Sequence, residues 1–114
     1  METCLFCKIV SKDIPAKIVY EDDRALAFED IDPKAPVHML VIPKKHFSTL
    51  LDVAEADSDL MGHLLLVSRG IACRKGIAER GFRIVTNCNP ESGQSVYHIH
   101  LHVMGGRQMH WPPG

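Results

Sequence analysis

The sequence predicts an α+β fold, an antiparallel sheet with one long and one short helix, and three observations carry that prediction. Residues 97–104 alternate histidine with apolar residues at a period of two, the spacing of a strand. Between Asp57 and Gly76 the apolar residues recur at helical spacing. Short apolar runs elsewhere are punctuated by Asp22-Asp23 and by Asp32-Pro33-Lys34-Ala35-Pro36, which is turn chemistry. Segregated strands and helices of this kind pack as a sheet with its helices on one side. At 114 residues, the chain (1–114) is expected to be a single domain with a core of its own.

Taken in order, residues 4–11 read as the short helix, ended at the Asp13-Ile14-Pro15 turn because the residue before proline is pushed away from the helical region. Residues 17–21 and 25–30 read as a hairpin about Asp22-Asp23. Residues 37–43 follow as a strand with Leu40, Val41 and Ile42 buried. Asp57 or Ser58 is a suitable N-cap for a helix that runs to about residue 75, where Gly76 stops it. On that helix Leu60, Leu64, Val67 and Ile71 form one stripe, and Met61, Leu65 and Ala72 a second about 100° away. So wide an apolar surface predicts a helix buried twice, on its own sheet and on another subunit. Residues 82–87 and 96–104 complete the strands, joined by a loop over residues 88–95.

Thirteen Lys and Arg against fourteen Asp and Glu leave a formal net charge of −1, which gives no electrostatic reason to expect nucleic acid or membrane as a partner. The first ten residues lack the pattern of a signal peptide, and no apolar run reaches the ~20 residues that span a bilayer. A cytoplasmic location is expected, with Cys4, Cys7, Cys73 and Cys88 reduced.

The alternation sets His98, His100 and His102 on one face of their strand, backed by Ile99, Leu101 and Val103. Two chemistries are open to such a row. Neighbouring imidazoles can share a metal ion, although a strand rises about 3.3 Å per residue and three in line would be strained around one ion. Alternatively, one neutral imidazole acts as a nucleophile while its neighbours fix its tautomer and stabilise developing charge.

The run His98-Ile99-His100-Leu101-His102-Val103-Met104 resembles the signature of the histidine triad (HIT) superfamily. Its flanks, Gly93-Gln94-Ser95-Val96-Tyr97 before it and Gly105-Gly106-Arg107 through Trp111-Pro112-Pro113-Gly114 after it, resemble the histidine triad nucleotide-binding (Hint) branch. So do Ile14-Pro15-Ala16, Phe28-Glu29-Asp30-Ile31, Ala35-Pro36-Val37-His38 and Val41-Ile42-Pro43-Lys44-Lys45-His46. The resemblance implies the HIT fold, assembled as a homodimer that joins two sheets. It also implies a purine nucleoside phosphoramidase, which cleaves the P–N bond of adenosine or guanosine 5′-phosphoramidates.

By the same resemblance His100 is the nucleophile that forms a nucleotidyl-histidine intermediate, which water then cleaves. His102 serves as donor to a phosphoryl oxygen or the leaving group, and His98 and His38 are supporting members. Ser95 and Asn87 match positions at the phosphate, and backbone N–H groups around Gly93 and Val96 add donors. Asp30 matches a ribose-binding carboxylate, whose oxygens accept from two hydroxyls. Phe6, Ile9, Phe28, Ile31 and Leu40 match an apolar slot for the purine, and each also suits plain core. Trp111 matches a segment that reaches the partner's site, where it is a selectivity element. Catalysis is expected to need no cofactor.

Cys4-Leu5-Phe6-Cys7 has the spacing of half a zinc site. Several HIT branches complete it with the residues matching His46 and His98, which would give a closed, structural Cys2His2 zinc. Rival readings are a dinucleoside polyphosphate hydrolase or nucleotidylyltransferase of the same superfamily, a non-catalytic nucleotide-binding or scaffold protein, and a zinc enzyme with an open position at the histidine row. The transferase carries prolines within the triad, where Ile99 and Leu101 stand here.

Overall fold

The computed structural model describes residues 3–114. A single aspartate makes the first hairpin. Asp22 Oδ1 accepts the N–H groups of Arg24 and Ala25, both at 2.8 Å, and so turns β1 (Ile18–Glu21) back along β2 (Ala25–Glu29). β3 (Val37–Pro43) pairs with β2, and β5 (Leu101–Gly105) lies between β3 and β4 (Phe82–Val85). All neighbours are antiparallel, in the order β1-β2-β3-β5-β4.

The register decides which side chains meet. Phe28 on β2, Leu40 on β3 and His102 on β5 stand opposite one another and share one face. On the other face Ala27, Val41 and Leu101 are aligned in the same way. That second face is covered by α2 (Ser58–Arg74), whose Leu64, Val67, Ile71 and Ala72 are buried against Met39, Val41, Leu101 and Val103. Leu64, Val67 and Ile71 each contribute about 1.5–3 kcal/mol on leaving water. The first face is covered by α1 (Leu5–Val10), which buries Phe6 and Ile9 on Leu26, Phe28, Leu40 and Ile42.

The helices therefore lie on opposite faces of the sheet, not on one side. The apolar content of β2 and β3 accounts for this. Both strands are buried on both faces, so each face needs a cover. The predicted second stripe of α2 also divides. Ala72 is fully buried and Met61 packs on the core, whereas Leu65 is exposed beside Leu66. No helix of the described residues is long and apolar enough to cross a membrane.

Both helices end in the same way. After α1, Lys12 takes a positive φ of 67° while its N–H bonds Ile9 O and that of Asp13 bonds Lys8 O. After α2, Gly76 does the same at φ 74°, with Gly76 N–H on Cys73 O and Ile77 N–H on Ala72 O. Asp57 sits at the start of α2 as expected but does not cap it. Its carboxylate accepts from Ala54 N–H and pairs with Lys45.

The last strand begins later than the alternation predicts. Residues 96–100 precede β5 without strand pairing, and regular pairing starts at Leu101. Here the Ile99 N–H bonds Phe47 O, beyond the end of β3, and the His98 side chain is engaged with other segments. Its Nε2–H donates to Pro43 O at 2.8 Å and its Nδ1 faces Cys4, Cys7 and His46. The facing rule itself holds, since Ile99, Leu101 and Val103 are all buried under α2.

Candidate active site and metal centre

Two side-chain clusters grow from the histidine segment, one on each side of Phe6. The first is a pocket of about 290 Å³, at the small end of the range for ligand pockets. Its floor is the Phe28–Leu40–His102 row, and α1 supplies a wall with Phe6 and Ile9. His100, Ser95 and Val96 close one end, and Asp30 and the fully exposed Ile31 stand at the rim. Phe6 meets Phe28 edge-on with ring centroids 5.4 Å apart, and His100 at 5.2 Å.

Hydrogen bonds assign the tautomers here. The N–H of Lys34 can only donate, and it reaches His38 Nδ1 at 3.0 Å, so that nitrogen is an acceptor. In neutral His38 the proton then sits on Nε2, which lies 2.9 Å from His102 Nδ1 and 3.4 Å from Asp30 Oδ2. His102 Nδ1 accepts it, and His102 carries its own proton on Nε2. His100 is set the other way. Its Nδ1–H donates to the carbonyl of His98 at 2.8 Å, which leaves Nε2 with a free lone pair. Two imidazoles with centroids 5.1 Å apart thus present opposite functions, one a base and the other a donor.

Burial keeps His102 and His38 neutral. His102 is pushed down to about 4, first by desolvation and then by the neighbouring His100 and His38, against a smaller pull from Asp30. His38 is lowered as well, chiefly by burial, with Asp30 again opposing.

The second cluster is the Cys/His group. Cys4 Sγ and Cys7 Sγ lie 3.3 and 3.5 Å from His98 Nδ1. His46 Nδ1 is 3.3 Å from Cys7 Sγ and 3.2 Å from His98 Nδ1. Four donors around a zinc ion at about 2.0–2.3 Å stand roughly 3.3–3.8 Å apart, so these edges suit a tetrahedral ion. The protonation pattern agrees. His98 donates through Nε2 to Pro43 O, which frees its Nδ1 lone pair to face inward, and His46 Nε2 has Ser48 Oγ as a partner at 3.1 Å that can accept its proton. The donor set fits a metal, and its four members leave no open position.

Most of the expected pocket residues converge: Phe6, Ile9, Phe28, Asp30, Ile31, Leu40, Ser95, Val96, His100 and His102 all line the cavity. His38 lies behind it, in contact with His102. Asn87, Gly93 and Trp111 are not among the lining residues of the single chain; Gly93 ends the 90–92 turn and Trp111 is 82% exposed. Several contributors were not anticipated, Leu5, Pro15 and Ala16 of the pocket wall among them. The main chain of Lys34 sets a tautomer, and Ile14 is part of the pocket wall. Buried Gln94 holds the preceding loop through Asn89 N–H, Ser48 O and Val96 O. Gln94 and Ile14 both lie in segments that carry the family resemblance, Gly93-Gln94-Ser95 and Ile14-Pro15-Ala16, whereas the main chain of Lys34 has no such signal.

The HIT domain family profile matches residues 11–109. The chain is 52% identical over 112 residues to a 14 kDa zinc-binding protein of Brassica juncea, covering 96% of this chain and 98% of that one. It is equally identical over the same length to adenylylsulfatase HINT1 of Arabidopsis thaliana, covering 96% of this chain and 76% of that protein. The crystal structure of a HIT family hydrolase from Legionella pneumophila superposes with a TM-score of 0.97 at 54% identity, covering 98% of this chain and all of the other. With the histidine run, the sheet order and these matches in agreement, the chain belongs to the HIT family.

Proposed function

We propose that the protein is a purine nucleoside phosphoramidase, a hydrolase that cleaves the P–N bond of 5′-phosphoramidates through a nucleotidyl-histidine intermediate. The observation that carries this reading is the pair of opposed tautomers at His100 and His102 inside the pocket. His100 Nε2 attacks the α-phosphorus, and the amine leaves as the P–N bond breaks. His102 Nε2–H donates to the developing charge, and the relay from Lys34 N–H through His38 keeps that proton in place. Water then cleaves the phosphorus–nitrogen bond to His100 and releases the nucleoside monophosphate. Phe6, Ile9, Phe28, Ile31 and Leu40 take the purine and Asp30 the ribose hydroxyls. Ser95, Asn87 and the main chain near Gly93 and Val96 bind phosphate.

The relative named adenylylsulfatase favours a second substrate for the same chemistry, an adenylyl sulfate with sulfate as leaving group. Both substrates present an α-phosphorus to the same nucleophile. A dinucleoside polyphosphate hydrolase and a non-catalytic nucleotide binder are the alternatives that the assay separates.

A structural zinc ion on Cys4, Cys7, His46 and His98 belongs to this reading, supported by the donor geometry and by the zinc-binding relative. When bound it cross-links α1 to the sheet, and neither His100 nor His102 is among its ligands. The reading also includes a homodimer joining two sheets, supported by the exposed Leu65 and Leu66 of α2 and the edge position of β4. Trp111 then meets the partner's site.

The test is AMP release from an adenosine 5′-phosphoramidate of tryptamine, with and without EDTA. Release that resists chelation and vanishes in His100→Asn, while that variant still binds AMP, is the expected result. Undiminished turnover in His100→Asn would remove the nucleophile. Release only from adenylyl sulfate or a dinucleoside polyphosphate would reassign the substrate.

A further inference from the structure

We propose that Cys4 and Cys7 form an oxidisable latch on the nucleotide pocket: joined as a disulfide, they let go of His46 and His98, free α1, and weaken nucleoside binding. The inference rests on reading the pocket as a nucleotide site. It starts from one six-residue helix with two duties. α1 and its N-cap carry Cys4 and Cys7, and between them stands Phe6, the residue that walls the pocket and meets both Phe28 and His100.

A helix of this length has no stability of its own in water. Two fastenings hold it. One is the burial of Phe6 and Ile9 on the sheet. The other is the set of short contacts from Cys4 and Cys7 to His98 and His46. His98 is fully buried and tied to Pro43, so it is a fixed post to which the helix is fastened. The same residue's carbonyl orients His100, so the fastening borders the reacting group directly.

The thiols are placed to react with each other. Cys4 is the N-cap and its Sγ accepts the N–H of Cys7, which folds it over the first turn toward the second thiol. All donor atoms of the cluster lie within 4.8 Å of one another. A disulfide requires an S–S distance of about 2.05 Å, so forming it draws the two sulfurs onto each other and out of the positions from which they meet the imidazoles. Reagent access is open as well. Cys4, His46, Ser48 and Tyr97 border a cavity of about 450 Å³ that adjoins the nucleotide pocket at Leu5, Ser95 and Val96.

The oxidant is a peroxide. One thiolate attacks a peroxide oxygen, the O–O bond breaks and the sulfur becomes a sulfenic acid. The second thiol attacks that sulfur and expels water. Two thiols and one hydrogen peroxide thus give one disulfide and two waters. Any metal on the cluster loses its two sulfur donors. In a reducing compartment the bond is reversed by a dithiol, which suits a switch and not a permanent staple.

The experiment uses the full chain carrying Cys73→Ser and Cys88→Ser, so that Cys4 and Cys7 are its only thiols. After hydrogen peroxide, peptide mass reports the disulfide, amide hydrogen exchange reports residues 5–10, and calorimetry reports AMP affinity. The expected result is one Cys4–Cys7 disulfide, exchange in residues 5–10 faster by at least about tenfold, and AMP binding weaker by roughly tenfold, all reversed by dithiothreitol. A disulfide that leaves exchange and affinity unchanged overturns the proposal. So do thiols that survive peroxide sufficient to oxidise glutathione in the same solution. If the reduced protein binds no AMP, the pocket assignment fails, and exchange in residues 5–10 still decides the latch.

Discussion

Acid titration of the fold, compared with that of His102→Asn, examines the buried relay at its weakest point. Asparagine keeps an oxygen near the place of Nδ1 to accept from His38 but cannot take up a proton. In the unfolded chain His102 titrates near 6.5, whereas in the fold it holds out to about 4. Between these values the unfolded state binds more protons than the native state. The contribution is therefore complete above pH 6.5 and is lost as the pH falls toward 4. For one group with these two values, lowering the pH from 7 to 5 costs about 2 kcal/mol. Asp22, Asp32, Asp57 and Glu21 are all held below their ordinary values, so their losses begin only near and below pH 4.5. His38 and His98, which burial also pushes down, titrate in both proteins and cancel in the difference.

Urea unfolding followed by far-ultraviolet circular dichroism, in EDTA and at fixed protein concentration, supplies both free energies. The exposed Trp111 makes fluorescence a poor substitute. Wild-type protein should lose about 2 kcal/mol more than His102→Asn over this interval. A difference below about 0.5 kcal/mol would mean that His102 takes its proton inside the fold, and the tautomer relay would be wrong.

Three further outcomes are expected. Gly105→Ala places a Cβ 2.7 Å from Ile77 Cδ1 and 3.0 Å from its Cβ, an overpacking that should cost about 1–3 kcal/mol in urea unfolding; a neutral substitution would mean that Ile77 can give way. Asp30→Ala should raise the dissociation constant for AMP more than that for inorganic phosphate, measured by calorimetry, and an equal loss for both would argue against a ribose contact. Added zinc should stabilise the EDTA-stripped wild-type protein by about 2.7 kcal/mol at a hundredfold excess over its dissociation constant. It should leave Cys4→Ser/Cys7→Ser unmoved, and equal thermal shifts in both would place the metal elsewhere.

Residues whose role is local were legible in the sequence. Asp22 announced its turn, Gly76 its helix end, and the alternation of Ile99, Leu101 and Val103 their burial under α2. Residues whose role depends on a distant partner were not. The grouping of His98 with the cysteines came from the family resemblance, whereas nothing local says that its Nε2 bonds Pro43 O or that Ile99 N–H bonds Phe47 O and not a strand. Asp22 also bonds His63 and Tyr20 through its second oxygen, and that pairing across 41 residues has no local signature. The side of the sheet taken by α1 follows from both faces of β2 and β3 being apolar, a balance visible only once the strands are aligned.

The order β1-β2-β3-β5-β4 carries a consequence for how the molecule comes into being. The strand that arrives last along the chain is not added at a border but inserted between two that precede it. Among the described residues β4 has β5 as its only strand partner, so without β5 neither β4 nor the facing border of β3 is paired. Seating β5 sets His102 in the sheet, with His100 immediately before its first paired residue. Completion of the sheet and placement of the reacting groups thus depend on one and the same stretch of chain.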